Sequence, residues 1–338
     1  MKTSKKRRFM TVLCIILAVI LALLLGLTIL INSILNKIPR FDPEVETISQ
    51  EEIQQIIAQT DPPELLEGLE ELPVEQIIMP EPAETIEDTD HIYNILLIGQ
   101  DRRPGQGRQR SDAMILCTIN TKKKTLIMTS FLRDTYISMP DYQGESFDDN
   151  RLNACYVFGG MEMLNDALEM NFGVTVDHNI EVDFTGFENI VNMLGGVGIY
   201  LTGAEASIVQ GGAVEGWNHL NGQQALTYAR IRSLDGDTNR TYRQRKLLMS
   251  IFESIRNLRV DQISDLVNSV FPMVTTDMTN ADILNYIAIF APLLTDLEIT
   301  TQHIPAEGTA QNVMIRGMAV KVPDYEENRR ILMETLGE

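Results

Sequence analysis

Hydrophobic residues follow three different patterns along this chain. Residues 9–31 form one apolar run without a charged side chain. At about 1.5 Å per residue, a helix of that length spans the ~30 Å hydrocarbon core of a bilayer. The run is longer than the apolar core of about 7–15 residues in a cleaved signal peptide, so a retained transmembrane helix is expected. Lys2, Lys5, Lys6, Arg7 and Arg8 precede it. That charge bias places the N-terminus in the cytoplasm and the rest of the chain outside the cell. In the second pattern, residues 41–90, periodicity is lost and acidic residues and prolines dominate. Only SQEEIQQIIAQ reads as a helix there, opened by a Ser49–Glu52 capping box. The remainder reads as an extended acidic spacer.

The third pattern is that of a folded domain. YNILLIGQD, AMILCTIN and TLIMTSFL are short, nearly continuous apolar runs, as buried strands require, and HNIEVDF alternates. MEMLNDALEMNFG has helical spacing and a C-terminal stop at Gly173. FTGFENIVNMLGGVGIYL predicts a helix and then a strand. NGQQALTYAR, NRTYRQRKLLMSIFESIRNL, VDQISDLVNSVF and TNADILNYIAIFAPLL predict further helices, with late strands at EITTQHIP and MAVKVP. Strands interleaved with helices imply an α/β fold, a central sheet flanked by helices. Gly195, Gly196 and Gly198 follow a helix rather than a strand, so they make no dinucleotide-binding turn.

Charge sharpens this picture. The 338 residues carry a net charge of -19, which excludes general nucleic-acid binding because a phosphate backbone needs a broad basic surface. Three cysteines make no disulfide framework, and whether Cys117 and Cys155 pair is left open by sequence. Yet cationic side chains concentrate in three places. GQDRRPGQGRQRSD carries Asp101, Arg110 and Asp112; FLRD carries Arg133 and Asp134; YARIRSLDGDTNRTYRQRK carries Arg230, Arg232, Asp235, Asp237, Arg240, Arg243 and Gln244. Guanidinium forks fit phosphate oxygens. Carboxylates among them suit Mg²⁺, which takes one or two carboxylates and completes its shell with phosphate and water. The combination points to a metal-bound diphosphate. Asp237, Thr238 or Asn239 can cap the last helix, on which Arg240, Arg243 and Gln244 share a face.

NILLIGQDRR, RSDAMILCTIN, FLRDTYISMP, RLNACYVFGG, FTGFENIVNMLGGVGIYL, LNGQQALTYARIR and NRTYRQRKLL, in that order over residues 94–250, resemble the LytR-CpsA-Psr family of bacterial cell-wall enzymes. The resemblance implies a central mixed β-sheet with flanking helices. It implies a phosphotransferase that moves a glycopolymer, of teichoic acid or capsular polysaccharide type, from an undecaprenyl-diphosphate carrier to peptidoglycan, with a polyprenyl-diphosphate hydrolase or a non-enzymatic lipid-diphosphate-binding regulator as the alternatives. It makes Asp101 and Asp112 the Mg²⁺ ligands. Arg110, Arg133, Arg230, Arg232, Arg240 and Gln244 become diphosphate contacts, with Arg243 and Asn153 in supporting places. Catalytic positions are then Arg133, Asp134, Arg230, Arg232 and Asp237, with Asp134 or Asp237 as the base. The chain departs from the family pattern at FLRD, which lacks a proline, and at Cys155. Phe131, Phe158, Phe184, Phe187 and the Met-rich helix at 161–170 are candidate linings for a lipid groove. The expected organisation is a cytoplasmic tail at 1–8, a membrane helix at 9–31, an acidic extracellular linker at 32–91 and the catalytic domain at 92–338.

Overall fold

The computed structural model describes residues 31–42, 66–85, 90–100, 108–234, 236–256 and 269–336, together with Glu51 and Gln55. Its centre is a mixed six-stranded sheet. In chain order the contributing strands are β1 (Ile92–Gln100), β2 (Ser111–Asn120), β3 (Thr125–Phe131), β6 (His178–Asp183), β9 (Val274–Thr276) and β10 (Glu298–Ile304). They lie side by side as β10-β3-β2-β1-β6-β9. The β1–β2 and β2–β3 pairs are antiparallel, whereas β6 joins β1 and β10 joins β3 in parallel.

β2 shows why residues 113–117 are apolar without interruption. Met114 and Leu116 turn into one core with Leu96, Ile98 and Phe131, while Ile115, Cys117 and Ile119 turn into another with Leu126 and Met128. Alternate side chains leave opposite faces of a strand, so a strand covered on both sides must be apolar at every position. The first face is covered by α1 (Leu152–Phe172) and α7 (Tyr325–Leu336), the second by α5 (Gly236–Arg256) and α6 (Asn280–Phe290). A smaller core joins α2 (Phe184–Met193), β7 (Val197–Leu201), α3 (Gly203–Val209), β8 (Gly216–Leu220), α4 (Gly222–Arg230) and part of α5.

Local chemistry starts and stops these helices where the sequence says it should. Gly173 ends α1 with φ 73°, its N–H donating to Glu169 O and the following Val174 N–H to Leu168 O. Asn221 and Gln224 close a capping box on α4, and Thr279 and Asp282 one on α6. α1, however, begins well before the predicted Met-rich segment and turns at Gly160 (φ 64°), so 152–159 adds a helical stretch that periodicity did not disclose. β4 (Tyr136–Ile137), β5 (Asn150–Arg151), the β11 (Ala310–Ile315)–β12 (Met318–Pro323) hairpin and α7 were likewise not anticipated in full. Nor does α5 start at Asp237, Thr238 or Asn239. It begins at Gly236, so those three residues lie inside its first turn.

Two pieces of the expected linker are part of the domain. Phe41 N–H donates to Thr276 O and Thr276 N–H to Pro39 O, while Leu35 and Ile38 are buried. Leu72, Ile77 and Met79 join the core of the β11–β12 hairpin, with Leu72 N–H on Met314 O. The acidic character reflects exposed flanking positions; the intervening apolar residues find a hydrophobic seat. The expected membrane span at 9–31, apart from Ile31, and the capping pair Ser49–Glu52 lie outside the described residues. Among the described residues no helix is long and apolar enough to cross a membrane. Nearly all of the expected VDQISDLVNSVF helix also lies outside them.

Cys117 and Cys155 are free thiols in different cores. Burial pushes the Cys117 thiol up to about 12 and raises that of Cys155 as well. Cys155 faces the Met139 sulfur at 3.4 Å and sits in packed core. Phe131, Phe158 and Met161 are buried core residues too, not groove lining, while Phe187 packs against the smaller core.

Candidate functional site

Strand register builds the first half of the site. In the β2–β3 hairpin Ile115 stands opposite Ser130 and each step along β2 is matched on β3. Continued three residues further, that register sets Asp112 opposite Arg133. Arg133 Nη1 meets Asp112 Oδ1 at 2.6 Å, with both side chains largely shielded from solvent. Asp134 follows Arg133, and three guanidiniums surround its carboxylate: Arg133 at 3.5 Å, Arg151 at 3.7 Å and Arg232 at 3.8 Å.

Helix α5 supplies the second half. Arg240, buried in its first turn, approaches Asp112 from the opposite side, with Nη1 4.0 Å from Oδ1 and Nη2 3.4 Å from the backbone carbonyl. Thus Asp112, Arg133, Asp134, Arg232 and Arg240, separated by as many as 128 residues, meet at one place. That place lies beyond the carboxyl end of β3, where ligands of open α/β sheets collect. The carboxylates hold the guanidiniums against their mutual repulsion. Two of the expected amide groups have oxygens ready for further bonds: Asn153 Oδ1 and Gln244 Oε1 are buried without a hydrogen-bond partner. Asn153 is anchored beside the site by its own N–H, which donates to Arg133 O at 3.3 Å.

Other expected residues are directed elsewhere. Arg243 is 3% exposed and spans two elements, with Nε on Glu205 Oε1 at 2.8 Å and Nη1 on Ile231 O at 3.2 Å. Burial pushes the Glu205 carboxyl up, but hydrogen bonds from Thr202 and Arg243 outweigh that and hold it below the usual range. Arg243 therefore fixes the segment that ends in Arg232. Arg230 is exposed and stacks on Phe184, its guanidinium carbon 4.7 Å from the ring centre. Arg110 is half-buried just before β2. Asp101 and the side chain of Asp237 lie outside what the structure describes.

Sequence reasoning passed over Arg151. It is 6% exposed, reaches Asp134, and also donates to Ala319 O at 2.8 Å, joining the site to the β11–β12 hairpin. Its place at the head of RLNA, beside the Asn153 that was singled out, was the available signal. At the end of β1, the Gln100 side-chain carbonyl accepts Gln109 N–H at 3.1 Å and its amide donates to buried Glu181.

Among the described residues no three His, Cys, Asp or Glu side chains converge as a metal cage. Asp112 and Asp134 are the described carboxylates beside the arginines. That donor set fits a hard cation with few protein ligands, completed by phosphate oxygens and water, and not a closed protein site.

The fold is an α/β domain in which arginines and carboxylates meet beyond the carboxyl end of β3. The chain belongs to the LytR-CpsA-Psr family, whose model matches residues 70–334. It is 30% identical over 217 residues to the polyisoprenyl-teichoic acid–peptidoglycan teichoic acid transferase TagU of Enterococcus faecalis, covering 60% of this chain and 69% of that protein. It is 32% identical over 192 residues to the transferase TagT of Bacillus subtilis, covering 53% of this chain and 58% of TagT. A solved structure of TagT with bound octaprenyl pyrophosphate lipid has the same fold, with a TM-score of 0.56 and 24% identity over 76% of this chain and 97% of that one.

Proposed function

We propose that this protein is a membrane-anchored phosphotransferase that moves a glycopolymer from an undecaprenyl-diphosphate carrier to peptidoglycan. The observation that carries the reading is the meeting of Arg133, Arg232 and Arg240 on Asp112 and Asp134 at one place. The curated relatives are named as teichoic acid transferases, and a solved TagT holds a prenyl pyrophosphate. In this reading residues 9–31 anchor the chain, residues 1–8 lie in the cytoplasm and the domain works outside the cell.

In the reaction, an acceptor sugar hydroxyl attacks the phosphorus bonded to the glycan. A P–O bond to the lipid phosphate breaks, and the polyprenyl phosphate leaves. Arg133, Arg232 and Arg240 stabilise the charge that collects on phosphoryl and leaving oxygens, in a site shielded enough for such interactions to count. Arg151 holds Asp134 in place, and Asn153 and Gln244 present acceptor oxygens toward sugar hydroxyls. Asp134 or Asp237 takes the hydroxyl proton. Asp112, with Asp101, would hold Mg²⁺, which supplies charge neutralisation to the diphosphate.

The test is transfer by the purified full chain from a lipid-linked glycopolymer to peptidoglycan fragments. Arg133→Ala and Arg232→Ala are each expected to slow transfer at least about tenfold, a loss of about 1.4 kcal/mol, with unchanged circular dichroism. Unaltered rates in both variants contradict the assignment. Glycan release at the same rate without acceptor makes the protein a hydrolase instead.

A further inference from the structure

A cavity of about 430 Å³ lies beside the cluster, between the start of α5, the end of β10 and the β11–β12 hairpin. Leu132 lines it, next in sequence to Arg133 of the cluster. Helix α5 therefore serves two places. Thr238, Tyr242 and Arg245 line the cavity at i, i+4 and i+7, one face of the helix. Arg240, which meets Asp112, projects about 140° away from Arg245 at about 100° per residue.

Arg245 is the informative residue. It is 4% exposed, and its Nε and Nη1 are buried without a hydrogen-bond partner. Its described contact is with the ring of Tyr242, 6.0 Å from the guanidinium carbon. Burial pulls it down to about 10, so it remains charged at neutral pH. A buried charge without a carboxylate is unfavourable in a low dielectric. A cavity that opens on it offers the compensation. Lys321 adds a second cation to the wall, hydrogen-bonded to Asn312 Oδ1 at 2.7 Å. Burial lowers the His303 imidazole, whose Nδ1 lies 2.6 Å from Pro305 O. Glu307, exposed at the rim, is the one carboxylate in the described lining. Cationic charge thus lies deep in the cavity and anionic charge outside, with Asn239, Asn312 and Thr238 supplying hydrogen-bonding groups suited to hydroxyls.

We propose that this cavity is a second anion subsite, which holds a phosphodiester or carboxylate of one of the glycans being joined while the diphosphate occupies the Arg133–Arg240 cluster. The assignment of those anions to glycans rests on the proposed transfer reaction; the anion site itself does not. Lys321 ties the two places together, since its N–H donates to Asp134 O at 2.9 Å while its side chain lines the cavity.

The test uses the full chain in detergent and three soluble probes: glycerophosphoglycerol, a phosphodiester; N-acetylmuramic acid, a carboxylate; and N-acetylglucosamine, neutral. A bound ligand raises Tm by mass action. One or both anionic probes are expected to raise Tm and shift the His303 ring signals, with no response to N-acetylglucosamine. Whichever anion responds names the glycan that occupies the site. Arg245→Gln is expected to abolish the response and to leave the ligand-free Tm equal or higher, because an uncompensated buried charge is gone. Lys321→Gln is expected to weaken binding at least about fivefold, and it keeps the test open should Arg245→Gln not fold. Arg133→Ala is expected to lose prenyl-diphosphate binding while keeping the response to the small anions. No response in the wild-type chain, or an equal response in both cavity variants, overturns the subsite. Loss of prenyl-diphosphate binding in the wild type with an intact probe response counts against the transfer reaction instead.

Discussion

At the scale of single residues, arginines of similar appearance in sequence have different work. Arg133, Arg232 and Arg240 face carboxylates at the site, Arg243 is committed to Glu205, and Arg245 has no carboxylate among the described residues. Removing one partner of a buried pair leaves the other charge uncompensated, so Arg243→Met is expected to lower unfolding free energy by about 3 kcal/mol in urea titration. Because the Glu205 carboxyl is held below its usual value, the stability it contributes is present above its unfolded-state value and lost as pH falls through the folded one. The difference between wild type and Arg243→Met is therefore expected to narrow in strong acid. Gly222 is a second such residue, since a Cβ there would run into Glu188 O of α2. Gly222→Ala is expected to cost about 1–3 kcal/mol, read from the same titrations.

At the scale of elements, strand pairing and helix faces set the functional geometry. The β2–β3 register brings Asp112 to Arg133, and α5 sends Arg240 and Arg243, one turn apart, to Asp112 and Glu205 while Arg245, on another side of the helix, faces the cavity. Another element junction carries a pH signature. His178 opens β6 and Asp277 follows β9, with His178 Nδ1 3.2 Å from Asp277 Oδ1. The hydrogen bond to Asp277 raises the imidazole above its ordinary value. The resulting stabilisation is complete below the ordinary value of about 6.5 and is lost as pH rises through the raised one. Stability of this sheet edge is expected to decline over that alkaline side of the transition, and Asp277→Asn is expected to return the His178 NMR titration to a lower midpoint. An unmoved midpoint contradicts the pairing.

At the scale of the molecule, the domain extends further toward the N-terminus than composition implied. Leu72, Ile77 and Met79 cover the hairpin core, and Phe41 lies under the Arg108 guanidinium at 5.8 Å. A chain trimmed to begin at residue 92 is expected to melt several degrees below one beginning at residue 66, since 1 kcal/mol shifts Tm by about 2–4 °C at this size. Equal melting temperatures would show that the segment is a passive spacer.

The apolar runs of β1, β2 and β3, the alternation of β6, the stop at Gly173 and the helices carrying the Arg-rich motifs were legible because strand and helix periods and capping chemistry are local. So was the presence of an arginine–aspartate site, since like charges dense in an acidic chain demand a counter-anion. Which arginines share it was not legible. Arg151, Arg240 and Arg243 differ in partner through long-range pairing, and the commitment of Arg243 to Glu205 depends on α3 reaching α5. The acidic linker likewise conceals buried Leu35 and Ile38, whose burial is decided by what lies opposite them. Sequence by itself determined the elements, their order and the kinds of charge available. Tertiary structure alone decided which charges meet, because register and helix orientation are fixed by packing between segments far apart in the chain.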